Sequence, residues 1–160
     1  MYLDGLSFLE DEREAWRPYE ALQDLSDEQL ARPVDAAHGW SGRDLMGHLV
    51  AWQEEALSAA RELAVHETSA SIERIDAIDW DGGAGDATNE EMLARFREMP
   101  LDEVRQRFRE TPGELRGYLT VVPETRWVKN THHLGTFLGE TLEHYAEHTG
   151  DLDAILAAAR

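Results

Sequence analysis

The sequence predicts an all-α fold, a four-helix bundle with a long crossover connection between its second and third helices. Three observations lead to this prediction. Apolar residues recur at intervals of three and four over four long segments, which is the spacing of one helix face. Capping residues precede several of these segments. Alternating runs of β-branched residues, which are typical of strands, do not occur apart from a short stretch at 119–122.

The first segment is predicted to be a helix from about residue 3 to residue 25. Its inward stripe repeats at helical spacing and consists of Leu6, Leu9, Arg13, Trp16, Tyr19 and Leu22. A short second piece begins at Ser26, where Gln29 completes a capping box, and ends near Pro33. We therefore expect one long helix followed by a brief helical turn.

The second main helix is predicted to begin at Ser41 and to run to about His66. Ser41 and Asp44 have the spacing of a capping box, which satisfies two free N–H groups at a helix start. The inner stripe consists of Leu45, His48, Leu49, Trp52, Ala56 and Leu63. This helix is expected to turn one continuous face towards the core.

Residues 67–87 are predicted to form the long crossover. The stretch 79–85 is rich in aspartate and glycine, which favour turns and loops. A connection of this length in a compact domain is often functional, or passes over one end of a bundle.

The third main helix is predicted to begin at Thr88, with Glu91 in the capping-box position, and to continue to Val122. Pro100 and Pro112 interrupt the pattern, because proline cannot donate a backbone hydrogen bond inside a helix. The residues around Pro112 also resemble a new helix start. A broken or kinked helix is therefore expected here.

A loop containing Trp127 is predicted at 123–131, followed by a last helix over 132–158. The inner arc of that helix consists of Leu134, Phe137, Leu138, Thr141, His144, Tyr145, His148, Leu152 and Ile155. Two histidines therefore lie on the face that is expected to meet the core.

The composition limits the class of protein. The chain has 160 residues, of which 42% are apolar, and this suits a single folded domain over residues 1–160. The formal net charge of −18 argues against nucleic acid and against anionic membranes, which attract basic proteins. The N-terminal segment carries acids where a secretory signal carries bases, so we predict a cytoplasmic protein. Cysteine is absent, so thiol chemistry would require a thiol from outside the chain.

Three of the seven histidines are predicted to face inward together. His144 and His148 are four residues apart and share one face of the last helix, while His48 lies on the inner stripe of another helix. Buried imidazoles need partners for both ring nitrogens, and a divalent ion binds the neutral form of each ring. The pattern is consistent with a metal site, and separate hydrogen-bonded core histidines are the alternative.

Several residues are candidates for supporting such a site. Asp44, Glu140 and Asp151 lie three or four residues from the three histidines, where a carboxylate could orient an imidazole. The further candidates for lining a pocket are Trp52, Tyr145 and His133. His38 and His66 are interpreted as surface or loop residues, and Trp40, Trp80 and Trp127 as cover for the core or walls of a pocket.

Two segments resemble a known superfamily. Residues 39–52, GWSGRDLMGHLVAW, resemble the W-[ST]-x-x-[DE]-x-x-x-H-[LI]-x-x-[WH] pattern at the start of the second helix of the DinB-like superfamily. Residues 143–148, EHYAEH, resemble its last-helix H-x-x-x-H motif. That superfamily includes the mycothiol-dependent maleylpyruvate isomerases, which typically show a glutamate where this chain has His144 and usually carry an added C-terminal domain.

The resemblance implies a four-helix bundle in which His48, His144 and His148 bind a divalent metal, commonly zinc or nickel. It also implies that a low-molecular-weight thiol, such as mycothiol or bacillithiol, could be a co-substrate, and that the protein could be a homodimer.

Three functions remain open from the sequence. The metal could activate a thiol for attack on a small electrophile, as in S-transferases and isomerases. It could instead activate water in a hydrolase. The bundle could also be a non-catalytic module that binds a small molecule for self-protection, with tryptophans as walls.

Overall fold

The computed structural model describes residues 2–160, and over this range the chain is helical and contains no β-strand. The α-helices are α1 Gly5–Trp16, α2 Asp27–Ala31, α3 Gly42–Val65, α4 Ala70–Asp76, α5 Ala84–Glu98, α6 Leu101–Val121, α7 Thr131–Glu140, α8 Leu142–Glu147 and α9 Thr149–Ala158. Short 3-10 helices cover Arg17–Asp24, Asp35–Ala37 and Glu124–Arg126. The predicted all-α bundle is confirmed. Within residues 2–160, none of the helices combines the length and apolar character needed to cross a bilayer.

Helix α3 is the centre of the bundle and packs against α5, α6, α7 and α9. Its predicted start is confirmed, because Ser41 and Asp44 form both hydrogen bonds of a capping box. Every residue from Leu45 to Trp52 is buried, on all sides of the helix rather than along one stripe. This all-round burial makes the first half of α3 the core of the molecule.

The first predicted helix is shorter than expected. α1 ends at Trp16, and the chain continues as a 3-10 helix. Pro18 explains the change, because it has no N–H to donate to the carbonyl four residues earlier. The predicted inward face is wrong at its start, where Leu6 and Arg13 are exposed and Phe8 is buried instead. Further along, Trp16, Tyr19 and Leu22 are buried as predicted.

The crossover contains more helix than the sequence pattern indicates. Helix α4 lies within it, capped by the side chain of Ser69, which accepts a hydrogen bond from the Ile72 N–H. Helix α5 then begins at Ala84, four residues before the predicted cap at Thr88. Thr88 lies inside the helix, where its hydroxyl donates to the carbonyl of Ala84 at 2.9 Å.

The two prolines of the third segment have different effects. Pro100 separates α5 from α6, as predicted, whereas α6 runs without a break through Pro112. The predicted new helix start near Pro112 is therefore wrong. Pro112 and Thr111 are buried, and packing on this face maintains the helix despite the lost hydrogen bond.

The last predicted helix is divided into α7, α8 and α9. Its backbone leaves the α-helical region at Thr141, with φ −126° and ψ −97°, and again at His148, with φ −102° and ψ 8°. The hydroxyl of Thr141 donates to the carbonyl of Phe137 at 2.5 Å and stabilises the first interruption. The second interruption falls on one of the predicted metal ligands.

Helix α5 runs antiparallel to α3 and approaches it closely. Arg97 pairs with Asp44 near one end, and Trp52 donates to Asn89 near the other. Between these contacts, a Cβ at Gly47 would lie 2.7 Å from the Cβ of Phe96. Only glycine at this position allows the two backbones to pack at the observed distance.

We expect Gly47→Ala to destabilise the fold by about 1–3 kcal/mol, because the added methyl group must push α5 away from α3. Urea unfolding followed by circular dichroism measures the change. The control is Gly113→Ala in α6, where a Cβ meets nothing within 4 Å, so alanine should add about 0.5–1 kcal/mol. Equal effects at the two positions would contradict the packing argument.

Candidate metal centre

Three histidines from separate parts of the chain meet inside the bundle. His48 lies on α3, His144 on α8, and His148 at the junction of α8 and α9. One ring nitrogen of each lies within 4.8 Å of the other two. The Nε2 atoms of His48 and His144 are 2.8 Å apart, and the ring centroids are separated by 4.7, 4.8 and 4.9 Å. The three rings thus surround a single point.

Burial keeps two of these imidazoles neutral. It lowers the pKa of His48 from 6.5 to about 3 and the pKa of His144 to about 2. Burial is the largest cause in both cases, and repulsion from the neighbouring rings adds to it. A neutral imidazole is the form that binds a metal ion. At neutral pH both rings therefore have the protonation state that a metal site requires.

The hydrogen bonding of these rings differs from that of ordinary core histidines. Within residues 2–160, Nδ1 of His48 and Nδ1 of His144 are buried and have no hydrogen-bond partner. Their Nε2 atoms face each other, so a single proton between them is the most that the pair can share. Three imidazole nitrogens are ligands that suit zinc or nickel. The donor set therefore fits a divalent ion better than a set of separate core hydrogen bonds.

A carboxylate orients the third ring. Nδ1 of His148 donates to Oδ2 of Asp151 at 2.8 Å, which leaves the Nε2 lone pair of His148 free. The other oxygen of Asp151 lies 3.1 Å from Nδ1 of His38. Asp151 is only 7% exposed, whereas the side chain of His38 lies at the surface. Two imidazoles therefore share one buried carboxylate.

His38 is a site residue that the sequence analysis missed. It lies after a short 3-10 helix with φ 59°, in the left-handed region that few non-glycine residues adopt. No spacing relates it to the H-x-x-x-H pair, because its link to Asp151 depends on how the loop before α3 folds against α9. The nearest sequence signal to His38 is the capping box at Ser41, which predicts the start of α3 but not a contact with Asp151.

Trp40 forms a wall of the histidine cluster rather than only a cover for the core. Its ring stacks on His148, with centroids 5.6 Å apart and planes 21° apart. The same ring lies 4.8 Å from His48. Trp40 therefore restricts the orientation of two of the three imidazoles.

Two predicted site residues serve other parts of the structure. The carboxylate of Asp44 caps α3 and accepts two hydrogen bonds from Arg97, and it does not orient His48. His133 lies near the start of α7, where its Nδ1 pairs with the carbonyl of Arg126 at 2.6 Å, and it does not line the cavity described below. Asp44 is therefore paired with Arg97, and His133 with the backbone of Arg126, rather than with the histidine cluster.

Tyr145 also points away from the cluster, into a buried polar network. Its hydroxyl donates to Oε1 of Glu12 and accepts from Nε2 of Gln53, each at 2.8 Å. Arg116 pairs with the same glutamate. This network ties α8 to α1, α3 and α6, and so fixes the helix that carries His144.

A cavity of about 1090 Å³ opens beside the cluster, and all three histidines line it. Its aromatic walls are Trp40, Trp52 and Trp80. Trp52 is held by its hydrogen bond to Asn89 at 2.8 Å, and the rings of Trp52 and Trp80 are 5.8 Å apart. Trp80 lies on Gly85, where a Cβ would come within 2.0 Å of the indole.

Four carboxylates line the same cavity. Asp86 and Glu90 are on α5, Glu140 ends α7, and Glu147 ends α8. Burial raises the pKa of Glu140 to about 8, and the charges of Glu55 and Glu147 add to this effect. Glu140 lies one turn before His144 but forms no hydrogen bond to that ring within the described residues. It faces the cavity instead.

A comparison with known families shows which family the chain belongs to. The family described as the mycothiol maleylpyruvate isomerase N-terminal domain matches residues 9–148. The chain belongs to this family. This family is a member of the DinB-like superfamily, as the sequence motifs predict. The match includes all three histidines. No curated protein and no solved structure matches the chain.

We expect the metal-free protein to lose stability as the pH falls below about 6.5. Unfolded His48 and His144 take up protons near pH 6.5, while the folded residues stay neutral to about pH 3 and about pH 2. The unfolded state then binds more protons, which costs about 1.4 kcal/mol per pH unit for each histidine. Urea unfolding of EDTA-treated protein between pH 7 and pH 5 measures this slope.

The variant His48→Gln/His144→Gln should show a smaller pH slope than the wild type, whereas His66→Gln, in an exposed position, should keep the wild-type slope. A double variant with an unchanged slope would show that these two rings are not the cause.

Proposed function

We propose that the protein is a metal-dependent enzyme that activates a low-molecular-weight thiol for attack on a small electrophile, in the manner of S-transferases and isomerases. The observation that carries the proposal is the convergence of three imidazoles, two of them kept neutral by burial, at the wall of a large cavity. The family match supports the thiol, because mycothiol is part of the family description.

His48, His144 and His148 would hold the ion. A bound divalent ion, zinc or nickel, supplies Lewis acidity that favours the thiolate form of a thiol near neutral pH. The thiol comes from outside, because the chain has no cysteine. Low-molecular-weight thiols are kept reduced in the cytoplasm, and we place the reaction there.

The remaining residues have supporting roles. Asp151 fixes the tautomer of His148 so that Nε2 faces the cluster. Trp40 packs over two of the rings and limits the access of water from that side. The cavity walls hold the electrophile next to the cluster, which keeps the two reactants close together.

We expect protein purified without an affinity tag to hold about one equivalent of a divalent metal per chain after reconstitution with zinc or nickel. His48→Ala and His144→Ala should each reduce this to a small fraction of an equivalent. His132→Ala, which removes an exposed histidine paired with Asp76, should leave it unchanged. Elemental analysis gives the stoichiometry, and wild-type protein that stays far below one equivalent would contradict the metal site.

We expect Asp151→Asn to weaken metal binding by about 10–100-fold, because the amide no longer accepts the proton of His148 as a carboxylate does. Competition with a chromogenic chelator measures the affinity. His38→Gln should change it much less, since the exposed side chain of His38 pairs with Asp151 and is not one of the three proposed metal ligands. Similar losses in the two variants would argue against a specific role for the His148–Asp151 bond.

We expect turnover of a small electrophile by the reconstituted protein to require an added thiol such as mycothiol. Product formation with and without the thiol, followed by mass spectrometry, tests this. Hydrolysis at the same rate without any thiol would favour the water-activating alternative. Ligand binding that survives loss of all three histidines, without turnover, would favour a non-catalytic module.

A further inference from the structure

We propose that the small molecule held beside the three histidines carries a positive charge, such as an ammonium group, next to an apolar or aromatic part. This inference rests on the proposed function, because it names the class of the second substrate. It differs from what the family description indicates, since maleylpyruvate is a dicarboxylate.

The cavity carboxylates are free of internal partners. Within residues 2–160, Asp86, Glu90, Glu140 and Glu147 form no ion pair and no side-chain hydrogen bond. Elsewhere the acids of this chain are often paired with arginine, as Glu54 is with Arg107. Glu140 is largely protonated near neutral pH, because burial raises its pKa to about 8. The unpaired carboxylates of Asp86, Glu90 and Glu147 therefore give the cavity a negative potential that no group of the described chain neutralises.

The basic side chains do not offset this potential. Arg97 is the one arginine or lysine that lines the cavity in the described part of the chain. Its Nε and Nη2 atoms donate to the carboxylate of Asp44, which offsets its charge. A divalent ion at the histidines would add two positive charges against the three carboxylates of Asp86, Glu90 and Glu147. The cavity would stay attractive to a cation and repulsive to a dianion.

The aromatic walls suit the same ligand. Trp40, Trp52 and Trp80 present indole rings to the cavity, and Trp80 stays 50% exposed although it is a large apolar residue. An indole face attracts an ammonium group more strongly than other aromatic rings do. Rings and carboxylates together are the usual elements of an ammonium-binding site.

An independent observation indicates that this cavity binds ligands. His48 is 5% exposed and His144 is 7% exposed, and each of these cavity-lining rings has a buried nitrogen without a partner among residues 2–160. Unpartnered buried polar atoms are uncommon in folded proteins and often mark a binding site. The exposed carboxylates of Asp86, Glu90 and Glu147 therefore lie around a binding site.

The test compares three probes of similar size by isothermal titration calorimetry on metal-reconstituted and metal-free protein. Phenyltrimethylammonium is the cation, tert-butylbenzene is its neutral isostere, and maleate is a dicarboxylate. We expect the cation to bind at least about tenfold more tightly than the isostere, and maleate to bind more weakly than either. Equal affinities for the cation and the isostere, or tighter binding of maleate, would overturn the proposal.

Matched variants locate the effect. Glu90→Gln/Glu147→Gln removes two cavity charges and should reduce the preference for the cation by about tenfold. Asp86→Asn/Glu90→Gln, at two exposed positions on α5, should act in the same direction if the first variant fails to fold. Glu10→Gln/Glu67→Gln removes the same net charge from exposed positions outside the cavity and should change nothing. A loss of preference in this last variant would contradict a local cause.

The same samples separate this proposal from the proposed function. Elemental analysis of each preparation records whether one equivalent of metal is bound. Metal uptake without a preference for the cation would overturn only the charge inference. A preference for the cation without metal uptake would overturn the thiol-activating site and leave the charge inference standing.

Discussion

The arrangement of this protein depends on three imidazole rings that can be neighbours only while they are uncharged. At the separations observed, protonated rings would repel one another in a medium that screens charge poorly. Burial removes this difficulty for His48 and His144 by disfavouring the charged forms. The same burial leaves Nδ1 of each of these two rings without a hydrogen-bond partner among residues 2–160, which is a free-energy cost that a bound cation can offset. Burial of His48 and His144 is thus the common cause of their close packing and of the predicted metal binding.

The rest of the fold keeps these rings in place. Helix α3 supplies a core buried on all sides, so His48 has little freedom to turn outward. A hydrogen-bonded network fixes α8 through Tyr145, the residue after His144, and its members are Glu12, Gln53, Arg116 and Tyr145. The backbone interruption at His148 leaves that ring within reach of Asp151, three residues later at the start of α9, which accepts a hydrogen bond from its Nδ1.

Much of the fold could be predicted from the sequence because the relevant signals are local. The capping boxes at Ser26 and Ser41 involve residues three apart and need no tertiary contact. The inward spacing of His144 and His148 is equally local. Contacts between distant segments were not predictable, and they account for the differences: His38 reaches Asp151, and Asp44 pairs with Arg97, through packing that no spacing encodes. The division of the last helix was also not predictable. The hydroxyl of Thr141 donates to the carbonyl of Phe137, and whether such a bond interrupts a helix depends on the packing around it.

The width of the cavity opening depends on a glycine that lies beneath one of its aromatic walls. The indole of Trp80 rests directly on the backbone of Gly85, in space that any larger residue at position 85 would fill. Nothing among the described residues hydrogen-bonds that indole, so its position follows from the shape beneath it. The residue at position 85 therefore sets the width of the opening, although Gly85 does not line the cavity itself. A single methyl group there would displace the ring, and helices α3 and α5 would not need to move.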